Sequence, residues 1–523
     1  MTTLVPRQPY SKDELEKLYP KELELQLVQI LLRHGERSPV SPRFQNTGLP
    51  AYWPYCSAAR QLTSVILNTK DFSKWDQLKY RRRLETFGMD DGPVIASGPK
   101  GEFDAICQPG ELTDKGRETT LALGERLRHL YIDQLKFMPA LISDSDMIYL
   151  RATPMPRALE SVQQAFWGFY PPSARTSDFP PPTIITRTPA DETLYPNDAS
   201  CRRFAQLSRA FAQRAADKWN DTDDMRYLSK VLSKWMPNEQ KVAVDSHPRL
   251  SGIMDTLNAT DAHGPETKLP KAFYDPKARS IIDKIAVEEW FKGYTESSEY
   301  RMLGIGGLMG DITSRMVGSV ERNGNSGIVE VGGVDGQLGK GRGGETNIRF
   351  AMSGCHDTTL AGMLTSLGAF EGENWPPFTS HIAVEMFRKR GASTVSPTPS
   401  LPEQNPQPQS QSWWSSLFGS TKVTSDASLA PQGIARKPLT DLTQTQRDQL
   451  NDYYVRIRYN DKIMQIPGCK AAGKHLEGDT TFCTLEAFKG IVDKYTPKNW
   501  KAACTSRLDQ PAFPEKLEPA GYE

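Results

Sequence analysis

Leu23-Glu24-Leu25-Gln26-Leu27-Val28-Gln29-Ile30-Leu31-Leu32, followed without a break by Arg33-His34-Gly35-Glu36-Arg37-Ser38-Pro39, is the stretch from which the rest of the chain is read. The first ten residues form an apolar, strand-like run. The next seven crowd two guanidiniums and an imidazole into a turn. Average residue usage would produce R-H-G-x-R-x-P by accident in a chain this long on the order of once in ten thousand. A guanidinium presents paired planar donors that match phosphate oxygens. An imidazole nitrogen can attack phosphorus and hold it covalently. The stretch therefore describes a strand that ends in a phosphoryl-transfer site.

Two more motifs follow apolar runs in the same way. Met147 to Leu150 leads into Arg151-Ala152-Thr153 and then Arg157-Ala158-Leu159-Glu160-Ser161, and Ile348 to Met352 leads into His356-Asp357-Thr358-Thr359. Helical patterning alternates with these runs. Thr113 caps one helix, Leu159, Val162, Phe166 and Phe169 share a face of a second, and Leu360, Met363, Leu364 and Leu367 mark a third. Ile184 to Thr188 reads as a further strand, and His381 to Phe387 with Tyr453 to Tyr459 as an antiparallel edge pair. Alternation of this kind predicts an α/β fold, a layered α/β sandwich with a mostly parallel central sheet. The three charged motifs would then meet at the carboxyl ends of the strands.

R-H-G-x-R-x-P, the R-A-T…R-x-x-x-S segment and H-D-T-T together resemble the histidine acid phosphatases, with Ala152 where that family usually has Ser. Asp191-Glu192-Thr193-Leu194-Tyr195-Pro196-Asn197 and Trp375-Pro376-Pro377-Phe378 extend the likeness. It is greatest to the intracellular branch typified by the mitochondrial lysophosphatidic acid phosphatases. The resemblance implies phosphomonoester hydrolysis through a phosphohistidine, without a metal or other cofactor. It assigns His34 as nucleophile, Arg33, Arg37 and Arg151 as the phosphate clamp, His356 as a further phosphate donor and Asp357 as the acid for the leaving group. Arg157 reads as a helix-face cation paired with an acidic neighbour, and Cys355 as a small buried residue. The expected partner is a small phosphomonoester, with a lysophospholipid suggested by the branch. The rival readings are a catalytically silent phospholigand-binding protein whose insert recruits partners, and an inositol phosphate phosphatase.

The 523 residues suffice for a large core, and a net charge of +1 supplies no global field for nucleic acid. No apolar run reaches bilayer length. The N-terminus lacks a signal pattern, and Asp13, Glu14, Glu16, Glu22 and Glu24 are unlike a transit peptide. The expectation is a cytoplasmic, non-secreted protein, with mitochondrial import kept open by the family branch. Seven Cys is an odd number and argues against a complete disulfide framework. The resemblance sets Cys469 and Cys483 about a disulfide-bearing turn, although in a reducing compartment they would be thiols. A metal site through Cys469, His475 and Cys483 has no standard ligand spacing.

Residues 1–196 and 345–523 are read as the α/β core, and 197–320, with helical patterning and no clear strand, as an inserted helical cap. A Gly-rich tract, 323–344, reads as a flexible loop, and 391–447, rich in Pro, Ser, Gln and Thr, as a disordered insert. Within that insert Trp413, Trp414, Leu417 and Phe418 are candidates for peripheral contact with a partner or membrane.

Overall fold

In the computed structural model, residues 2–322, 329–331, 340–342, 347–392 and 433–522 are described. Strand β1 (Leu23–Arg33) is buried from Leu27 to its end on both faces, which is why its sequence reads as one apolar run. Four short strands follow as two antiparallel hairpins, β2 (Leu62–Leu67) with β3 (Trp75–Tyr80), and β4 (Glu85–Phe87) with β5 (Pro93–Ile95). The main sheet then gains β6 (Ile148–Ala152) and β7 (Ile184–Ile185). After a further hairpin, β8 (Val329–Val331) with β9 (Lys340–Arg342), come β10 (Phe350–Cys355), β11 (His381–Lys389), β12 (Tyr453–Tyr459), β13 (Lys462–Met464), β14 (His475–Leu476) and β15 (Asp479–Thr484).

The order across the sheet is β14-β15-β12-β11-β1-β10-β6-β7, with β13 paired to β12. The half that carries the charged motifs, β1, β10, β6 and β7, is parallel, and an antiparallel extension continues from β1 through β11. Register puts Arg33 opposite Cys355 and Arg151 opposite Ser353, so the three motif-bearing strands end side by side.

Helices cover both faces. On one side Val28, Ile30 and Leu32 of β1 and Leu150 of β6 pack with Leu123, Leu127, Val162 and Phe166 of α2 (Asp114–Arg128) and α3 (Pro156–Phe169), which follow α1 (Lys12–Leu18). Thr113 caps α2 through the Gly116 amide, as its sequence suggests. On the other side Leu27 and Leu31 join α4 (Arg202–Trp219), α5 (Asp223–Leu232), α6 (Leu250–Ala262), α7 (Pro276–Glu296), α8 (Ser298–Arg301), α9 (Gly307–Glu321) and α10 (Asp357–Ser366).

Several expectations need correction. β7 is two residues long rather than running to Thr188. β11 is no edge strand: β1 and β12 flank it, and it is buried from His381 to Phe387. Its central Glu385 is tolerated because Arg456 of β12 binds it at 2.8 Å while Tyr19 and Tyr131 donate to its other oxygen. The stretch expected to continue as insert to residue 447 is folded from Gly433 onward. Ile434 and Ala435 are buried, the Ile434 amide donates to Glu321 at 3.0 Å, and α11 (Gln444–Asp448) follows. Trp413, Trp414, Leu417 and Phe418 lie outside the described residues.

The cysteines carry the disulfide-bearing turn that the resemblance implied at Cys469 and Cys483, and two further bridges that the odd count had argued against. Cys56–Cys107, Cys201–Cys504 and Cys469–Cys483 are disulfides, and Cys355 is the buried seventh. The odd count thus reflects one core residue, not a missing framework, and the pairing of Cys469 with Cys483 rules out their joint use as thiolate metal ligands. Burial pushes the Cys355 thiol far up, so it stays protonated.

Candidate active site

The turn after β1 is held against α2. A Cβ at Gly35 would collide with the Gly116 backbone, and one at Gly116 with that of Glu36, so both positions require glycine. The Gly35 amide donates to Ser161 Oγ of α3 at 3.1 Å, and the His34 amide to the Cys355 carbonyl at 3.1 Å. His34 is 2% exposed. Its Nδ1 lies 2.8 Å from the Gly35 carbonyl, which can only accept, so Nδ1 carries the proton and Nε2 keeps its lone pair. Burial, then Arg157, Arg33 and Arg37, hold its pKa well below the ordinary value. Both effects favour the neutral imidazole.

Arg33 is 3% exposed, lies 4.2 Å over the Phe378 ring, and binds Asp357 Oδ2 at 2.7 Å. Arg37 is paired at 2.8 Å with Asp255, which α6 brings in and which also binds Arg43 at 3.0 Å. His356 precedes α10, 5.5 Å from the His34 ring centre, with Nε2 held 3.2 Å from Thr153 Oγ1. Burial first, then Arg157, depresses its pKa against the opposing pull of Asp357. Asp357 opens α10, where the helix dipole favours a carboxylate. Burial pushes its pKa up, but Arg33 and the Trp375 indole, which donates to Oδ2 at 3.0 Å, outweigh it, and the net shift is downward.

Arg151 does not join this group. It is 2% exposed and committed to Glu192 at 2.6 Å and Thr193 at 3.1 Å, with Asp311 at 3.7 Å. The arginine beside the histidines is Arg157. It makes no ion pair among the described residues, its Nε is buried without a hydrogen-bond partner, and its Nη2 reaches only Met155 Sδ, at 3.3 Å. Burial, with Arg37 next, pulls its pKa down to about 10 against the opposing pull of Asp357. The helix-face ion pair expected for Arg157 is therefore absent among the described residues, and it is Arg157, rather than Arg151, whose charge reaches both histidines. A signal was present in the sequence. Arg157 is the second residue of α3, where a cation opposes the helix dipole and gains nothing locally. Asp255, Trp375 and Phe378 also shape the site. Trp375 and Phe378 stood in a motif, whereas nothing near Asp255 in sequence marks it.

The side chains open on a cavity of about 450 Å³ lined by Arg33, Arg37, Asp255, Asp357, Trp375 and Phe378 among others. A second cavity, about 620 Å³, lies beside it and shares Arg249, Ser251, Trp290 and Thr358 as a common wall. The Arg33 and Arg37 guanidiniums and the Asp357 carboxyl group thus face one cavity, and Phe378 of its wall lies 6.0 Å from the His34 ring centre.

Comparison with known proteins agrees with this geometry. The family model "Histidine phosphatase superfamily (branch 2)" matches residues 24–405. A probable acid phosphatase of Schizosaccharomyces pombe is 35% identical over 93% of this chain and 95% of its own. Lysophosphatidic acid phosphatase type 6 of Homo sapiens is 24% identical over 70% of this chain and 74% of its own. The phytase of Hafnia alvei superposes with a TM-score of 0.50 at 12% identity, covering 93% of this chain and 99% of the phytase, a likeness of fold. The chain belongs to branch 2 of the histidine phosphatase superfamily, among the acid phosphatases.

Proposed function

We propose that the chain hydrolyses phosphomonoesters through a phosphohistidine at His34. The observation that carries the reading is the tautomer of His34, protonated at Nδ1 by its bond to Gly35 and bare at Nε2 within a cluster of guanidiniums. Arg33, Arg37, Arg157 and His356 hold the phosphoryl oxygens and take up the charge that spreads in the transition state. Nε2 forms the N–P bond as the ester P–O bond breaks, and Asp357 gives its proton to the departing oxygen. Water then attacks phosphorus, Asp357 takes back a proton, the N–P bond breaks and inorganic phosphate leaves. Asp357 is held ionised by Arg33 in the resting site. A bound phosphate competes for Arg33 and lifts that restraint, so substrate binding and acid both favour the protonated acid. Turnover of p-nitrophenyl phosphate tests the reading, with trapping of an acid-labile, alkali-stable phosphoenzyme. An active enzyme with His34→Ala would overturn it, and no turnover at all would leave the silent phospholigand-binding protein.

For substrate class we propose a phosphomonoester with an apolar tail, such as a lysophospholipid. The second cavity, with Phe204, Phe291, Tyr294 and Tyr300 in its wall, gives such a tail a place beside the phosphate site. A polyanion such as an inositol phosphate wants spare cations. Here Arg37 and Arg43 share Asp255, at 2.8 and 3.0 Å, and Arg249 is matched by Glu289 at 2.7 Å. Comparing kcat/KM for lysophosphatidic acid and an inositol phosphate tests this, and preference for the latter would refute it. Among the described residues no helix is long and apolar enough to cross a membrane. Three disulfides fit an oxidising compartment better than the cytosol.

A further inference from the structure

The segment between Cys56 and Cys107 leaves the core at a disulfide and returns through it. Its base is tied to the catalytic turn: Ser38 Oγ donates to the Gln108 carbonyl at 2.7 Å, the Gly110 amide to Pro39 at 2.9 Å, and Arg82 pairs with Glu111 at 2.7 Å. From that base the β2–β3 hairpin projects with its apolar residues uncovered. Val65 is 67% exposed, Phe72 76% and Trp75 65%.

These residues lie on both faces. Register places Val65, Leu67 and Trp75 on one side and Ile66, Leu78 and Tyr80 on the other, all exposed. A protein partner laid against the hairpin would cover one side and leave the other wet. An apolar medium entered tip-first covers both. The tip is built rather than loose. Asn68 Oδ1 accepts the Lys70 and Asp71 amides at 2.9 and 3.0 Å, Asp71 Oδ1 accepts from Ser73, and the Asn68 amide closes the loop on Lys74. Polar bonds thus hold a turn that points Phe72 outward.

Charge indicates the medium. From Arg60 to Arg83 stand Arg60, Lys70, Lys74, Lys79, Arg81, Arg82 and Arg83 against Asp71 and Asp76. Setting aside Arg82 and Arg83, which pair with Glu111 and Asp104, leaves five cations against two carboxylates. Aromatic side chains collared by lysine and arginine suit the interface of an anionic bilayer. The neighbouring β4–β5 tip carries Asp90 and Asp91 and is not part of the contact.

We propose that the β2–β3 hairpin is a docking element for anionic lipid surfaces, seating Phe72 and Trp75 at headgroup level. The test is co-sedimentation of the full chain with phosphatidylcholine vesicles containing phosphatidylserine, against vesicles of phosphatidylcholine alone. The wild type should partition onto the anionic vesicles and come off as salt rises. Lys70→Gln/Lys74→Gln/Lys79→Gln should weaken partition by about fivefold per lysine, on the order of a hundredfold together. Phe72→Ser/Trp75→Ser should weaken it by at least about tenfold. Both variants should turn over soluble p-nitrophenyl phosphate at the wild-type rate, which separates lost docking from lost folding and from any failure of the phosphatase reading. Absence of wild-type binding to anionic vesicles, or variants that bind as well as wild type, overturns the proposal. So does a wild-type dimer that Phe72→Ser/Trp75→Ser splits with no vesicle affinity in either form, which would assign the surface to a second copy of the chain.

Discussion

Replacing Arg157 and Arg151 in turn by methionine should separate two arginines that the sequence presents as a pair. Arg157 faces the histidines with no carboxylate at ion-pair distance among the described residues, although the charges of Asp357 and Asp255 reach it, and in the proposed mechanism it is free to bind the phosphate. Removing one such preorganised donor should cost about 10²–10³ in kcat/KM, or about 2.7–4 kcal/mol of transition-state stabilisation. Stability should change little, because no contact ion pair is lost and the relieved repulsion with Arg37 and Arg33 is offset by the lost attraction of Asp357 and Asp255. Arg151→Met does the reverse. It leaves Glu192, 0% exposed, with only its bonds to the Thr193 and Leu194 amides and no counter-ion at contact distance. Breaking a buried pair in this way costs about 3–5 kcal/mol. On the per-residue unfolding entropy of a chain this long, that is ~3–5 °C in Tm. The assays are p-nitrophenyl phosphate kinetics and thermal unfolding with and without inorganic phosphate. Wild type and Arg151→Met should both gain stability from phosphate, about 2.7 kcal/mol at a hundred times Kd. Arg157→Met should gain much less. A loss of activity confined to Arg151→Met at unchanged Tm, with Arg157→Met near wild type, would refute the assignment of the clamp.

Asp357→Asn should slow alkyl phosphates by roughly 10²–10⁴ but phosphoenzyme formation from p-nitrophenyl phosphate far less, because a good leaving group needs little protonation. Equal losses by rapid quench would make Asp357 a positioning residue. Denatured, unreduced protein should titrate one thiol, that of Cys355, and reduction should raise the count to all seven cysteines. Seven before reduction would remove the disulfides and with them the argument for an oxidising compartment. Burial holds His381 at about 3 and His263 at about 4, below their ordinary 6.5. Depressed folded-state values mean stability present above pH 6.5 and lost as pH falls, up to about 1.4 kcal/mol per pH unit for each group. Thermal unfolding without phosphate should show Tm falling from neutrality into acid, and a rise would contradict the buried neutral state. Glu385→Ala should cost about 3–5 kcal/mol by leaving Arg456 buried without its carboxylate and Arg458 with Asp461 alone, read as a fall in the denaturant midpoint.

The sequence by itself determined the parallel half of the sheet and the meeting of the motifs. A strand covered on both faces must be apolar along its length, and a turn that binds phosphate must spend its residues on guanidinium, imidazole and glycine. Both are local requirements, legible at β1, at Thr113 and at His356-Asp357. The interior place of β11 was hidden because Glu385 looks like an outward residue until Arg456 and Tyr131 are seen around it. Only the tertiary structure decided which arginine stands beside the histidines. Arg151 is claimed by Glu192 and Asp311, 41 and 160 positions along the chain, while Arg157 is left bare. It likewise brought Asp255 to Arg37 and joined Cys201 to Cys504 across 303 positions. Periodicity and capping act between neighbours in the chain. A charge or a thiol finds its partner by distance in space, which the order of residues does not record.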